Sequence, residues 1–242
     1  MDKQIIPLVY DNDMLKLQHS FYVHWDITSN PHMAIQGITG TGKTYLCKLI
    51  LGRMGLYLPT GEITICDFKG DDSFIFLEGC ERYHKFESCM NGFDTFYDGF
   101  LQRQAGLDNS RNLRLIMFDE WASFLQYLDK KKAEEYRKML SSILMMGRIF
   151  NYHTLLSQQV LYAEDFSKAR QNFSTIITLG NPNKTVVNMV YDDFSEKIDN
   201  DRGLGTGYML TNGSDFRKIV VPEITDMGKV EHYIKRAVEY ST

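Results

Sequence analysis

Eight consecutive residues, Gly37-Ile38-Thr39-Gly40-Thr41-Gly42-Lys43-Thr44, have the types and spacing that hold a triphosphate. Glycines let main-chain N–H groups converge on phosphate oxygens without side-chain obstruction. The ammonium of Lys43 is placed to reach the β- and γ-phosphates, and the hydroxyl of Thr44 is a ligand for the magnesium that bridges them. With Tyr45 these residues are the expected nucleotide-binding set, and the cofactors implied are ATP and Mg2+. A second pair, Asp119-Glu120, closes the apolar run Leu115-Ile116-Met117-Phe118. Asp119 is expected to hold magnesium through its water shell, and Glu120 to orient or deprotonate the water that attacks the γ-phosphorus. Acids at a helix N-terminus also serve helix dipoles where no chemistry occurs, so the pair takes its meaning from the loop upstream.

Such a site needs a strand, loop and helix in succession, with a second strand ending at the same sheet edge. Apolar strand-like runs alternate with helical patterns from Met33 onward: strands at Met33–Gln36, Glu62–Cys66, Leu113–Phe118, Thr154–Ser157, Thr175–Leu179 and Gly207–Leu210, with Lys218–Val221 expected to close an edge. Helices are predicted at Lys43–Gly55 and at about 88–105, 121–147, 183–191 and 226–240. This alternation predicts an α/β fold, a mostly parallel central sheet flanked by helices. Ile5–Tyr10 and Phe21–Trp25 add a short N-terminal β-hairpin at one edge, and the stretch between Cys66 and Leu113 is the least regular part.

The 242 residues, 43% apolar and 24% charged, suit one domain: edge strands in 1–30, a core over 31–222 and a C-terminal helix in 223–242. No apolar run approaches the roughly 20 residues that cross a bilayer, and the first residues lack a secretory leader's apolar region, so no membrane insertion and a cytoplasmic location are expected. Cys47, Cys66, Cys80 and Cys89 have neither zinc-site nor disulfide-framework spacing. The net charge of −4 does not advertise a nucleic-acid binder, although a ring could line its channel with a few cations. The run Lys130-Lys131-Lys132 reads as a solvated helix face, with contact to DNA the alternative.

Several segments, in order, resemble the FtsK/SpoIIIE motor domain and the wider FtsK–HerA superfamily. The segment Asn30–Gly37 running into the loop is one, and Cys66-Asp67-Phe68-Lys69-Gly70 is similar to the family's D-P-K-G element. Gly147-Arg148 with Tyr152–Gln159 resembles G-R-x-x-x-I-H leading into A-T-Q-R. Ala169–Thr175 resembles I-R-x-N-F-P-T, and Leu204–Leu210 resembles L-G-x-G-D-M-L. The resemblance implies a RecA-like P-loop NTPase core assembled as a ring, usually a hexamer, with double-stranded DNA passing through it and ATP between subunits. It makes Gln158 the sensor of the γ-phosphate, and Arg148, then Arg170, the candidate for the arginine supplied across the interface. Phe68, Gln159, Ser174 and Tyr208 depart from the pattern, standing where proline, arginine, proline and aspartate are usual. No winged-helix module, membrane anchor or ring-forming second domain is recognised, so a minimal motor is expected, in conjugative transfer, mobile-element maintenance or phage packaging. The alternative is a nucleotide-dependent assembly or docking ATPase that recruits protein partners without moving DNA. A small-molecule P-loop kinase fits less well, because an arginine-rich lid is absent and two adjacent acids suit water activation.

Overall fold

In the computed structural model, residues 4–167 and 169–239 are described. The chain runs β1 (Ile5–Asp11), α1 (Asn12–Lys16), β2 (Tyr22–Asp26), β3 (His32–Gln36), α2 (Lys43–Tyr57), β4 (Glu62–Asp67), β5 (Tyr83–Lys85), α3 (Cys89–Gln104) and β6 (Arg114–Asp119). It continues through α4 (Trp121–Tyr127), α5 (Lys130–Phe150), β7 (Tyr152–Gln158), β8 (Thr175–Leu179), α6 (Lys184–Val190), β9 (Thr206–Thr211), β10 (Asp215–Val220) and α7 (Met227–Glu239). Residues 1–3 and 240–242, at the two ends of the domain expected from sequence, lie outside the described residues.

The described strands form one sheet in the order β2-β1-β10-β9-β8-β3-β7-β6-β4-β5. The six from β8 to β5 are parallel, and β9, β10, β1 and β2 extend the sheet by antiparallel pairing. The parallel strands are covered on both faces, and side-chain alternation divides the core between them. In β6, Leu115 and Met117 join Leu46, Ile50 and Ile234 on the side of α2 and α7. Ile116 and Phe118 join Phe93, Trp121, Phe124 and Leu140 on the side of α3, α4 and α5.

Two expectations are corrected here. Lys218–Val221 does not close an edge: β10 lies inside the sheet, paired with β9 throughout and with β1 at Tyr10↔Val220 and Asp11↔Ile219, so β2 is the edge. The helix expected over 121–147 is two helices, because Leu128 is extended and the Asp129 carboxylate accepts from Lys131 N and Lys132 N, each at 3.0 Å, starting a new helix. The three residues of β5 are too few to announce themselves by alternation.

Helix α2 packs against α7 through two glycines. A Cβ at Gly55 would stand 2.1 Å from the Tyr233 carbonyl oxygen, and one at Gly52 would stand 2.8 Å from Val230 Cγ1. Alanine normally gains about 1 kcal/mol over glycine inside a helix. Here the backbone contact outweighs that gain, because α7 must move as a unit. A Gly55→Ala variant is expected to lose a net 1–3 kcal/mol or so of stability, read as a lower denaturant midpoint. An unchanged midpoint would mean that α7 is not seated against α2 in this way.

At the opposite end of β3 from the loop, His32 is buried, with Nδ1 3.1 Å from Thr154 Oγ1 and Nε2 without a hydrogen-bond partner. Burial, then the nearby His153 ring, pushes its pKa down to about 3. Among the described residues no helix is long and apolar enough to cross a membrane.

Candidate functional site

All five residues of β3 are buried, and the chain leaving its end must turn sharply to enter α2. Gly37 lies where a Cβ would be 2.6 Å from Leu179 O and 2.8 Å from Thr41 Oγ1. Gly42, at φ +98°, caps α2 in a conformation that other residues rarely adopt and supplies no capping side chain. The first N–H groups of α2 are thus left uncapped by any side chain at the mouth of the loop, an arrangement suited to anions. Thr41 Oγ1 donates to Ile38 O at 2.8 Å, and Gly37 N donates to Gln159 O at 3.2 Å. The buried Lys43 ammonium donates to Gly37 O at 2.7 Å. From across the loop, Gly205 N donates to Thr41 O at 3.3 Å, which brings Leu204 over the phosphate loop.

The acids arrive from two strands away. Because β7 lies between β3 and β6, the end of β6 faces the loop across one strand's width, with Asp67, Asp119 and Ser157 in register on β4, β6 and β7. Asp119 is only 5% exposed. Burial chiefly, with Glu120 and Asp67 adding repulsion, raises its pKa to about 7 against the pull of Ser157 and Lys43. Asp67 accepts from Gly70 N at 2.8 Å and from Tyr83 Oη at 3.3 Å, and burial raises its pKa too. Glu120 takes a left-handed conformation, φ 59° and ψ 50°, and its N–H donates to Ser157 O at 2.7 Å. A left-handed glutamate costs on the order of 1 kcal/mol, held here by the strand before it and the helix after it. That turn leaves Asp119 buried and its neighbour half-exposed at the same opening.

A cleft of about 550 Å³ joins the two groups. Of the sequence-derived candidates, Thr39, Gly40, Gly42, Lys43, Thr44, Tyr45, Asp119 and Glu120 border it. Gly37, Ile38 and Thr41 belong to the loop without lining the cleft. The Tyr45 hydroxyl turns away to accept from Ile224 N.

Gln158, expected as the sensor, does not reach the cleft. It is fully buried and donates to Val160 O at 2.6 Å. Strand parity is the reason: Leu155 faces the α2 side with Ser157, whereas Leu156 faces the α3 side with Gln158. The glutamine at the cleft is Gln159.

Arg148 is exposed on the last turn of α5, at the start of β7, so the length of that strand, roughly 20 Å, separates it from its own loop. Arg170 is tied within the chain, Nη1 to Leu161 O at 3.2 Å and Nη2 to Met189 O at 3.5 Å, so it is not free to cross an interface in this arrangement.

Phe68, Lys69, Ser123 and Leu204, none of them among the site residues expected from sequence, also border the cleft, and Asp67 pairs in register with Asp119 beside it. Asp67, Phe68, Lys69 and Leu204 lay inside segments quoted for the resemblance, where a signal existed; Ser123 carried none. The departures from the family pattern have structural accounts. Phe68 packs edge-on against Phe124, with ring centroids 5.5 Å apart. Ser174 Oγ donates to His32 O at 3.1 Å. Tyr208 is buried beside Tyr191 and Phe216, and its hydroxyl hydrogen-bonds the Asp199 carboxylate at 2.7 Å.

The profile described as "Helicase HerA, central domain" matches residues 18–201, well over half of the chain. The chain belongs to the HerA central-domain family. This HerA-type chain is a P-loop ATPase, and it is similar to the FtsK domain-containing protein YdcQ of Bacillus subtilis (strain 168), 26% identical over 235 residues. That match takes in 89% of this chain and 48% of YdcQ, so the chain spans about half of its relative's length. Among solved structures, the cytoplasmic domain of the Thermomonospora curvata type VII secretion ATPase EccC superposes with a TM-score of 0.71 at 18% identity, over 96% of this chain and 31% of that one. The pCW3 conjugation coupling protein TcpA, in its monomer form with ATPγS, gives 0.69 at 15% identity, over 90% and 66%. At these identities the structures establish the RecA-like ATPase fold of the HerA-type chain.

Proposed function

We propose that this chain hydrolyses ATP to drive movement of double-stranded DNA, working as a ring-shaped oligomer in a transfer or packaging process within the cytoplasm. The observation that carries the proposal is the cleft in which Lys43 and Thr44, at the start of α2, meet Asp119 and Glu120, where β6 ends. In it the loop amides and Lys43 bind the phosphates, and Glu120 positions the attacking water and takes its proton. Magnesium fits this chemistry. Among the described residues no cluster of three or more His, Cys, Asp or Glu could hold a metal unaided, and Mg2+ characteristically keeps water and phosphate ligands. The mutual repulsion of Asp67, Asp119 and Glu120 is what a divalent cation would relieve, with Thr44 and Asp119 holding it. When bound, the cation offsets charge on the phosphates.

DNA as the moving partner draws on the family and on TcpA, a conjugation coupling protein. The arginine completing each site is Arg148 of a neighbouring subunit, reached only across an interface. Gln159 replaces Gln158 as the residue proposed to sense the phosphate. ATP turnover measured with and without duplex DNA tests the reading, with particle mass measured alongside in a nonhydrolysable analogue. Turnover is expected to rise several-fold with duplex, and the mass to correspond to a multiple of the chain. An oligomer whose turnover ignores every duplex and single strand would overturn DNA translocation.

The docking reading has one observation in its favour. Lys130, Lys131 and Lys132 share their groove with Asp94, Asp98, Glu134 and Glu135, a mixed surface better suited to protein than to a phosphate backbone. Partner binding that needs ATP and persists in Glu120→Gln would support it.

A further inference from the structure

Two ammonium groups border the cleft among the described residues, and only Lys43 has a place in the reading above. The other, Lys69, stands on the short turn that leaves β4 beside the acids. That turn is fixed from several directions. The Asp67 carboxylate accepts from Gly70 N at 2.8 Å and from Tyr83 Oη at 3.3 Å. Gly70, at φ +63°, admits the Phe86 ring so closely that a Cβ would lie 2.3 Å from it. Phe86 itself holds φ +48°, a conformation bulky residues avoid. On the near side Phe68 packs against Phe124.

All of this presents Lys69 to the opening instead of burying it. Its side chain is 49% exposed, and its ammonium rests on Asp71 at 2.9 Å. Asp71 first, and Asp119 and Glu120 after it, hold the ammonium charged. An exposed ion pair of this kind contributes little to stability, so it gives no reason for Phe86 to hold its left-handed conformation against this turn. It also holds weakly enough for the lysine to exchange partners, and a lysine stem is long and flexible enough to do so.

We propose that Lys69 leaves Asp71 for the terminal phosphate of the bound nucleotide, gripping it from the wall opposite Lys43. Asp71 is then the resting partner that competes with that phosphate. This rests on the reading of the cleft as an ATP site, and it adds a contact specific to the third phosphate.

Equilibrium binding of ATPγS and of ADP, each with Mg2+, separates the possibilities. Lys69→Ala is expected to weaken ATPγS about tenfold, as loss of one charge-assisted contact does, while ADP changes less than about twofold. Lys69→Arg should restore most of the difference. Asp71→Asn should tighten ATPγS, because its competitor for the ammonium is gone. Equal losses for both nucleotides, or none for either, would overturn the role of Lys69 while leaving the ATP site standing. A wild-type chain that binds neither nucleotide would overturn the ATP reading itself. Lys69 is exposed and outside the core, so melting curves matching the wild type confirm that the variants are folded.

Discussion

A Glu120→Gln chain should bind ATP as tightly as the wild type, within a few-fold, and turn it over 10²- to 10⁴-fold more slowly, the range on the order of which a positioned general base contributes. The substitution keeps the volume and the hydrogen-bonding reach of the side chain and removes only its capacity to take a proton. It leaves the left-handed turn at residue 120 intact, since the conformation is imposed by the Ser157 carbonyl before α4 and by the helix itself. Lys43→Ala should differ in kind, losing retention of the nucleotide along with its turnover. Titration calorimetry beside phosphate release reads both quantities. Turnover near the wild-type rate in Glu120→Gln would remove Glu120 from the chemistry and leave Asp119, with its raised pKa, as the better candidate base.

A second large effect concerns acid. His32 is held neutral in the folded chain, with a pKa pushed down to about 3 against an ordinary 6.5. Above 6.5 neither the folded nor the unfolded chain protonates it, and no stability depends on it. As pH falls below 6.5 the unfolded chain takes up a proton that the folded chain refuses, so the folded state loses about 1.4 kcal/mol per pH unit. Asp119 acts in the opposite sense, its raised pKa contributing stability at low pH that is lost as pH rises through about 7, and buried His153, lowered to about 4, acts in the same sense as His32, so the wild-type curve alone mixes several groups. Comparison with His32→Gln isolates the histidine. The variant should match the wild type within about 1 kcal/mol at pH 7.5 and exceed it by about 2 kcal/mol at pH 5, measured by denaturant unfolding at each pH. Parallel curves across that range would mean that His32 is protonated inside the fold.

The parts of this fold that could be read from sequence are those whose pattern is local. The loop from Gly37 to Thr44 and the acids after Phe118 announce themselves by residue type, and the parallel strands by their apolar runs. What escaped reading depends on contacts between distant segments. Nothing in Lys218–Val221 says that Tyr10 and Asp11 will pair beside it and make an interior strand of it. Gln158 and Gln159 are identical in type, and only the parity of β7 against its covering helices decides which one reaches the cleft. Arg170 reads like any exposed arginine until Leu161 and Met189 close around it. The break at Asp129 was legible in principle, since an aspartate before a polar run is a helix-starting signal, but the apolar spacing across it masked the interruption.

The junction of β1 with β10 has a consequence for how the chain comes into being. Strand β1 pairs on one side with β2, close by in sequence, and on the other with β10, more than 200 residues later. During synthesis the hairpin of β1 and β2 keeps one edge open until β10 has left the ribosome. Closing so long a loop is slow, and for that time the uncovered edge is open to pairing with other nascent chains.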